Sequence, residues 1–110
     1  MGAKLLVIIS TAESEKALTG LMYATRSKSE GWMEDVKVIF FGPSERLLVQ
    51  DERIAEVARE ICAAEKVIAC KFISDRDGIS EKIADLGIEV DYVGAIISDL
   101  VKDGYVPMVF

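Results

Sequence analysis

The chain contains two cysteines and no histidine, so thiolate chemistry is the nucleophilic chemistry its composition leaves most open. Without an imidazole, Ser-His-Asp, Cys-His and His-metal arrangements are excluded. Cys70 sits at or near the end of an apolar run, Lys66 to Phe72 (KVIACKF). A thiol at the carboxyl end of a buried strand can face backbone amides and helix N-termini that favour an anion. Lys71 beside it acts to acidify the thiol from the opposite face of the strand, while Asp75 and Asp77 act the other way. The alternative is a buried, inert Cys70 serving as a small apolar residue, and both readings stay open. Cys62 falls on the apolar stripe Ile54, Val57, Ala58, Ile61, Cys62 and reads as core. The two cysteines lack the Cys-x-x-Cys spacing of a redox pair.

Other polar groups offer weaker signals. Ser10-Thr11 and Gly42-Pro43-Ser44 follow apolar runs and could donate hydrogen bonds to an anionic ligand, although simple N-capping is the better reading. Neither G-x-G-x-x-G nor G-x-x-x-x-G-K-[ST] occurs, so no phosphate loop is identified. Glu13, Asp51, Asp75, Asp77 and Asp99 show no pairing that singles out acid-base or metal work. No metal and no cofactor are predicted. A receiver domain would need acidic residues after the first strand and an acceptor Asp ending the third; Ser10-Thr11 and Cys70 stand there instead.

The elements that position these residues read as alternating strands and helices. Lys4–Ile9 (KLLVII) is a buried strand, and Ser10-Thr11-Ala12-Glu13 has the form of a capping box opening a helix that fades near Ser27 to Gly31. Val36–Phe41 is a second strand, ended by Gly42-Pro43 and followed by a short helix to Val49. Glu52–Ala64 has amphipathic helical spacing, and Lys66–Phe72 is the third strand. Asp77-Gly78 precedes a helix over about Ile79–Leu86, capped by Gly87. Ile88–Val93 is a weaker strand, Gly94 opens a helix whose apolar residues are Ile96, Ile97, Leu100 and Val101, and Tyr105–Phe110 is the last strand.

This order predicts one domain over residues 1–110: a three-layer α/β/α sandwich with a five-stranded, mainly parallel sheet. Loops leaving the carboxyl ends of the strands then converge on one rim, which holds Ser10-Thr11, Gly42-Pro43-Ser44, Cys70-Lys71 and Gly94-Ala95. The length of 110 residues and the 51% hydrophobic content suit a single core. A net charge of −6 repels nucleic acid, and no apolar run is long enough to span a bilayer. The expected location is cytoplasmic. Exposed sheet edges, with Trp32 and Met33 in a loop, predict self-association.

Three segments, taken in order, resemble the DsrE/DsrF-like family of small sulfur-relay proteins. They are Val38-Ile39-Phe40-Phe41-Gly42-Pro43-Ser44; Ile68-Ala69-Cys70; and Val93-Gly94-Ala95 with Asp103-Gly104-Tyr105 and a terminal strand. The resemblance covers nearly the whole chain. It implies that Cys70 accepts a sulfane sulfur as a persulfide and passes it to a partner protein, in homo-oligomers or hetero-oligomers, commonly trimers or hexamers. The contrasting expectation is a non-catalytic ligand-binding or interaction subunit whose cysteine is structural.

Overall fold

The computed structural model describes residues 2–110. Apolar runs bounded by short polar turns give the strands β1 (Lys4–Ile9), β2 (Asp35–Phe40), β3 (Val67–Cys70), β4 (Glu89–Asp91) and β5 (Tyr105–Val109). The intervening segments form α1 (Ser14–Ser29), α2 (Ser44–Gln50), α3 (Glu52–Ala64), α4 (Lys71–Arg76), α5 (Ser80–Ala84) and α6 (Val93–Lys102). All pairings are parallel, in the order β4-β3-β2-β1-β5. The sheet is therefore wholly parallel, in a compact α/β sandwich.

Strand order decides how the two faces are covered. From β1 to β4 the chain steps always in one direction, so right-handed crossovers put α1, α2, α3 and α5 on one face. Leu5, Val7, Ile9, Val36, Val38, Phe40 and Val67 meet Ala17, Leu21, Leu48, Ile54 and Ile83 there. The step from β4 back to β5 runs the other way, so the same handedness throws α6 onto the opposite face. On that side Leu6, Ile8, Ile39, Ile68, Cys70 and Tyr105 pack with Val93, and Ile73, Ile96, Ile97 and Leu100 lean on them. A single helix, roughly 10 Å wide, cannot cover a sheet roughly 19 Å across. Pro107 and Val109 of β5 accordingly stay exposed on that face.

Two expectations about local structure are corrected. The third strand stops at Cys70, and Lys71 and Phe72 belong to a helix, α4, that the apolar run Lys66–Phe72 conceals. Ser10-Thr11-Ala12-Glu13 makes no capping box: both the Ser10 and Thr11 amides bond the Phe110 carbonyl (2.7 and 3.1 Å), and the chain bends at Ala12 before the helix. Thr11 Oγ1 then accepts from the Glu13 amide at 3.0 Å, and α1 starts one residue later without a side-chain cap. By contrast α3 has a side-chain cap, with Asp51 accepting from the Arg53 amide at 2.9 Å.

Both sheet edges resist strand addition. The Phe110 amide bonds Ile8, so by alternation Phe110, Met108 and Val106 face β1 while Tyr105, Pro107 and Val109 face outward. Pro107 thus removes a donor from the open edge of β5. The other edge, β4, is only Glu89–Asp91 and carries two carboxylates.

The amino ends of the strands are tied by a polar network. Tyr105 donates its hydroxyl proton to Asp35, which also meets Lys28 and Lys37 at 3.3 Å each. Burial would raise the Asp35 pKa, but the hydrogen bonds from Tyr105, Lys28 and Lys37 prevail and hold it at about 2. The folded state therefore prefers the carboxylate, a stabilisation present above the ordinary carboxylate pKa and lost as pH falls through about 2. Asp35→Asn should lower stability by about 1 kcal/mol at neutral pH, a figure reduced for solvent screening. In urea titrations from pH 5 to pH 2 the variant should lose less stability than the wild type.

Candidate functional site

The rim at the carboxyl ends of β1 and β2 is closed by main-chain contacts. The Phe41 amide bonds the Ile9 carbonyl at 3.0 Å, extending the ladder by one residue. Gly42 then turns at φ +131°, where a Cβ would stand 2.6 Å from Ser10 Oγ. Only glycine fits both the angle and the space. The Ser44 amide bonds the Ser10 carbonyl at 3.1 Å, and the buried Ser44 hydroxyl donates to the Ile9 carbonyl. Ser10, Gly42 and Ser44 are thus brought together as a lock between two loops.

In open parallel sheets ligands favour the crevice where strand order reverses, here between β1 and β5. That crevice is occupied by the chain itself. Phe110 ties its carbonyl to Ser10 and Thr11, and its ring lies where a Cβ on Gly20 would come within 2.7 Å. Gly94 and Ala95 lie apart, exposed in the first turn of α6, with nothing within 4 Å of a Cβ on Gly94.

Cys70 is the last residue of β3, opposite Asp91 of β4. Its side chain faces α6 and is only 5% exposed, in the cluster of Ile8, Ile39, Ile68 and Val93. The expected open thiol is therefore nearly covered, because Val93 at the start of α6 seats over this end of the sheet. Exposed Phe41, Phe72 (66%) and Tyr92 (59%) follow the ends of β2, β3 and β4, interspersed with the charged Lys71, Asp75 and Asp91. Lys71 does not take the alternating strand position. It turns into α4 and pairs with Asp75 at 3.0 Å, and that hydrogen bond raises its pKa.

The residue the sequence reading missed is Glu45. It lies in the first turn of α2, is fully buried, and accepts from the Gly42 amide through Oε2 at 3.4 Å. Its Oε1 is buried without a hydrogen-bond partner. Desolvation pushes its pKa up to about 7, against the pull of the Gly42 and Cys70 amides. Glu45 therefore holds its buried side chain against the Gly42 turn. A carboxylate directly after Gly-Pro-Ser reads as an ordinary acidic residue of a helix start, and nothing in the sequence marks it as buried.

Cys62 belongs elsewhere. It packs on the opposite face of the sheet from Cys70, near the start of β3, so the pair forms no disulfide. Burial raises its pKa. An apolar groove between α1 and α3, lined by Ala24, Val57, Ile61 and Ala64, is also remote from Cys70. No group of three Cys, Asp or Glu side chains suited to a metal ion occurs among the described residues, and no helix there is long and apolar enough to cross a membrane.

No protein-family model matches the chain, and no curated protein matches it. Among solved structures, the chain is similar to a conserved protein of unknown function from Bacteroides thetaiotaomicron. The TM-score is 0.83 at 25% sequence identity, over 97% of this chain and 95% of that one. The whole architecture is shared.

Two variants probe the site. Gly42→Ala should destabilise the fold by about 1–3 kcal/mol in urea, because the left-handed turn and Ser10 both exclude a Cβ. Glu45 holds its proton more tightly folded than unfolded, so stability should fall as pH rises from about 4.5 to about 7. Glu45→Gln should remove that slope; an unchanged slope in the variant assigns it to another group.

Proposed function

We propose that the chain is a sulfur carrier, taking sulfane sulfur as a persulfide on Cys70 and passing it to a partner protein. The observation that carries this reading is the place of Cys70: it ends β3 at the rim where parallel sheets present their chemistry, and exposed Phe41, Phe72 and Tyr92 follow the ends of β2, β3 and β4. Exposed aromatic side chains around a nearly covered thiol suit transfer inside a docked complex, where water is excluded. The resemblance of Val38–Ser44, Ile68–Cys70 and Val93–Ala95 to the DsrE/DsrF-like family supports the same reading. The same resemblance favours homo-oligomers, as trimers or hexamers, with donor and acceptor proteins as further partners.

The chemistry needs no imidazole. The Cys70 thiolate attacks the outer sulfur of thiosulfate or of a protein persulfide. A sulfur–sulfur bond forms to Cys70, the donor's bond breaks, and its electron pair leaves with sulfite or with the donor thiolate. A free thiol used this way fits a reducing compartment, in keeping with the cytoplasm.

The 5% exposure of Cys70 favours a second reading, an interaction subunit whose cysteine is structural. Mass spectrometry after incubation with thiosulfate or a protein persulfide separates the two. The carrier reading expects one added sulfur on the wild type and on Cys62→Ser, and none on Cys70→Ser. An unchanged wild-type mass, with Cys70 inert to thiol reagents in the folded protein, establishes the structural cysteine instead.

A further inference from the structure

The seam between α1 and α3 lies over the face of the sheet away from Cys70. Two ion pairs tie its ends. Arg53 meets Glu15 at 3.0 Å near the start of both helices, and Lys28 meets Glu65 where both helices end. Between these ties Ala24 of α1 and Ala64 of α3 bring only methyl groups to the seam, and a cavity of about 250 Å³ remains. Its apolar lining joins the core: Ala24 belongs to it, and Val57 and Ile61 pack against it. A cavity of about 150 Å³ already accepts benzene, so this one has room for an aromatic ring with a short arm.

The polar side chains around this cavity offer mainly acceptors. The Thr25 hydroxyl gives its proton to the Leu21 carbonyl at 2.9 Å, and Ser29 gives its own to the Arg26 carbonyl at 3.4 Å, which leaves each oxygen its lone pairs. Lys28 is the one cation of the lining, and Asp35, at 3.3 Å, and Glu65 already hold it. Both cations of α3 are engaged as well, Arg53 with Glu15 and Asp51, and Arg59 with Glu52. Glu60, exposed at the edge of the cavity, is left without an ion-pair partner among the described residues. An apolar hollow edged by acceptors and an uncompensated carboxylate matches a ligand that is apolar at one end and a hydrogen-bonding cation at the other. We infer that this cleft is a binding site for a small apolar amine, its body against Val57 and Ile61 and its ammonium group on Glu60. A carboxylate ligand would have to draw Lys28 away from Asp35 and Glu65, and a neutral one would leave Glu60 unused. The site is separate from Cys70 and stands apart from the carrier reading.

The test titrates the full chain at pH 7 with phenethylamine and follows the amide NMR shifts. Two analogues serve as contrasts: phenethyl alcohol, which lacks the charge, and hydrocinnamate, which inverts it. The amine should shift Thr25, Val57, Ile61 and Ala64 saturably and bind about threefold tighter than the alcohol, with hydrocinnamate weakest. Glu60→Gln should bring the amine to the level of the alcohol and leave the alcohol as it was; the side chain is exposed, so the variant keeps the fold. Ala64→Phe, which fills the hollow from an exposed position, should abolish binding of both. The inference is overturned by an amine that binds no tighter than the alcohol, by hydrocinnamate binding tightest, or by the absence of saturable shifts at these residues. It is overturned equally if Glu60→Gln keeps the preference for the amine, or if Ala64→Phe keeps the binding. The carrier reading falls separately, on the absence of an added sulfur at Cys70, whichever way the amine titrates.

Discussion

The handedness of the strand crossovers is the constraint from which the rest of this architecture follows. Four strands laid down in one direction place α1, α2, α3 and α5 on one face, and the return from β4 to β5 carries α6 to the other, where only Ile73 of α4 joins it. That return carries ten residues of helix, Val93–Lys102, against the full width of the sheet. One face is consequently sealed, with Leu21, Leu48, Ile54 and Ile83 at or near zero exposure, while the other keeps apolar residues such as Val109 at its surface. Cys70 lies on the second face because strand alternation puts it in phase with Ile68. The same geometry that leaves this face thinly covered therefore puts the more interesting cysteine beneath its single helix.

A buried carboxyl, Glu45, is the second unusual feature. Ordinarily a buried carboxyl without a counter-charge is replaced over time by an apolar residue, since desolvating it is costly and hydrogen bonds recover only part of that. Glu45 has one amide firmly in reach, a second nearby, and an oxygen with neither. The contrast with Asp35 is instructive. Asp35 is also partly withdrawn from water, yet a tyrosine hydroxyl and two lysines surround it, and its pKa moves down instead of up. Hydrogen bonds to charged and polar partners lower the one pKa, and burial without such partners raises the other.

Much of this architecture is legible in the sequence because local signals and tertiary demands agree. KLLVII and VKVIFF are too apolar to be anything but buried strands, and Glu52–Ala64 forms a helix with the bounds its apolar spacing implies. The sequence falls short where one pattern serves two structures. Lys66–Phe72 is a continuous apolar run, but the chain leaves the extended region after Cys70, and Phe72 becomes an exposed helical residue. Ser10 to Glu13 has the letters of a capping box, and a carbonyl a hundred residues away, on Phe110, claims its amides first. Strand order, and with it the unequal covering of the two faces, is a property of long-range pairing that no window of residues contains.

The candidate site shows the same division. Cys70 was recognisable as the end of a strand, and Gly42 and Ser44 as a turn, but their relation was hidden. Ser10, Gly42 and Ser44 spend their main-chain groups, and Ser44 its hydroxyl, on holding the ends of β1 and β2 together. That lock has a consequence for chemistry: it fixes the start of α2, and therefore the direction from which Glu45 enters the interior. A turn that reads in sequence as a simple N-cap supports a buried acid as well. Lys71, the basic neighbour that the sequence places beside Cys70, meanwhile turns into α4 and is paired with Asp75.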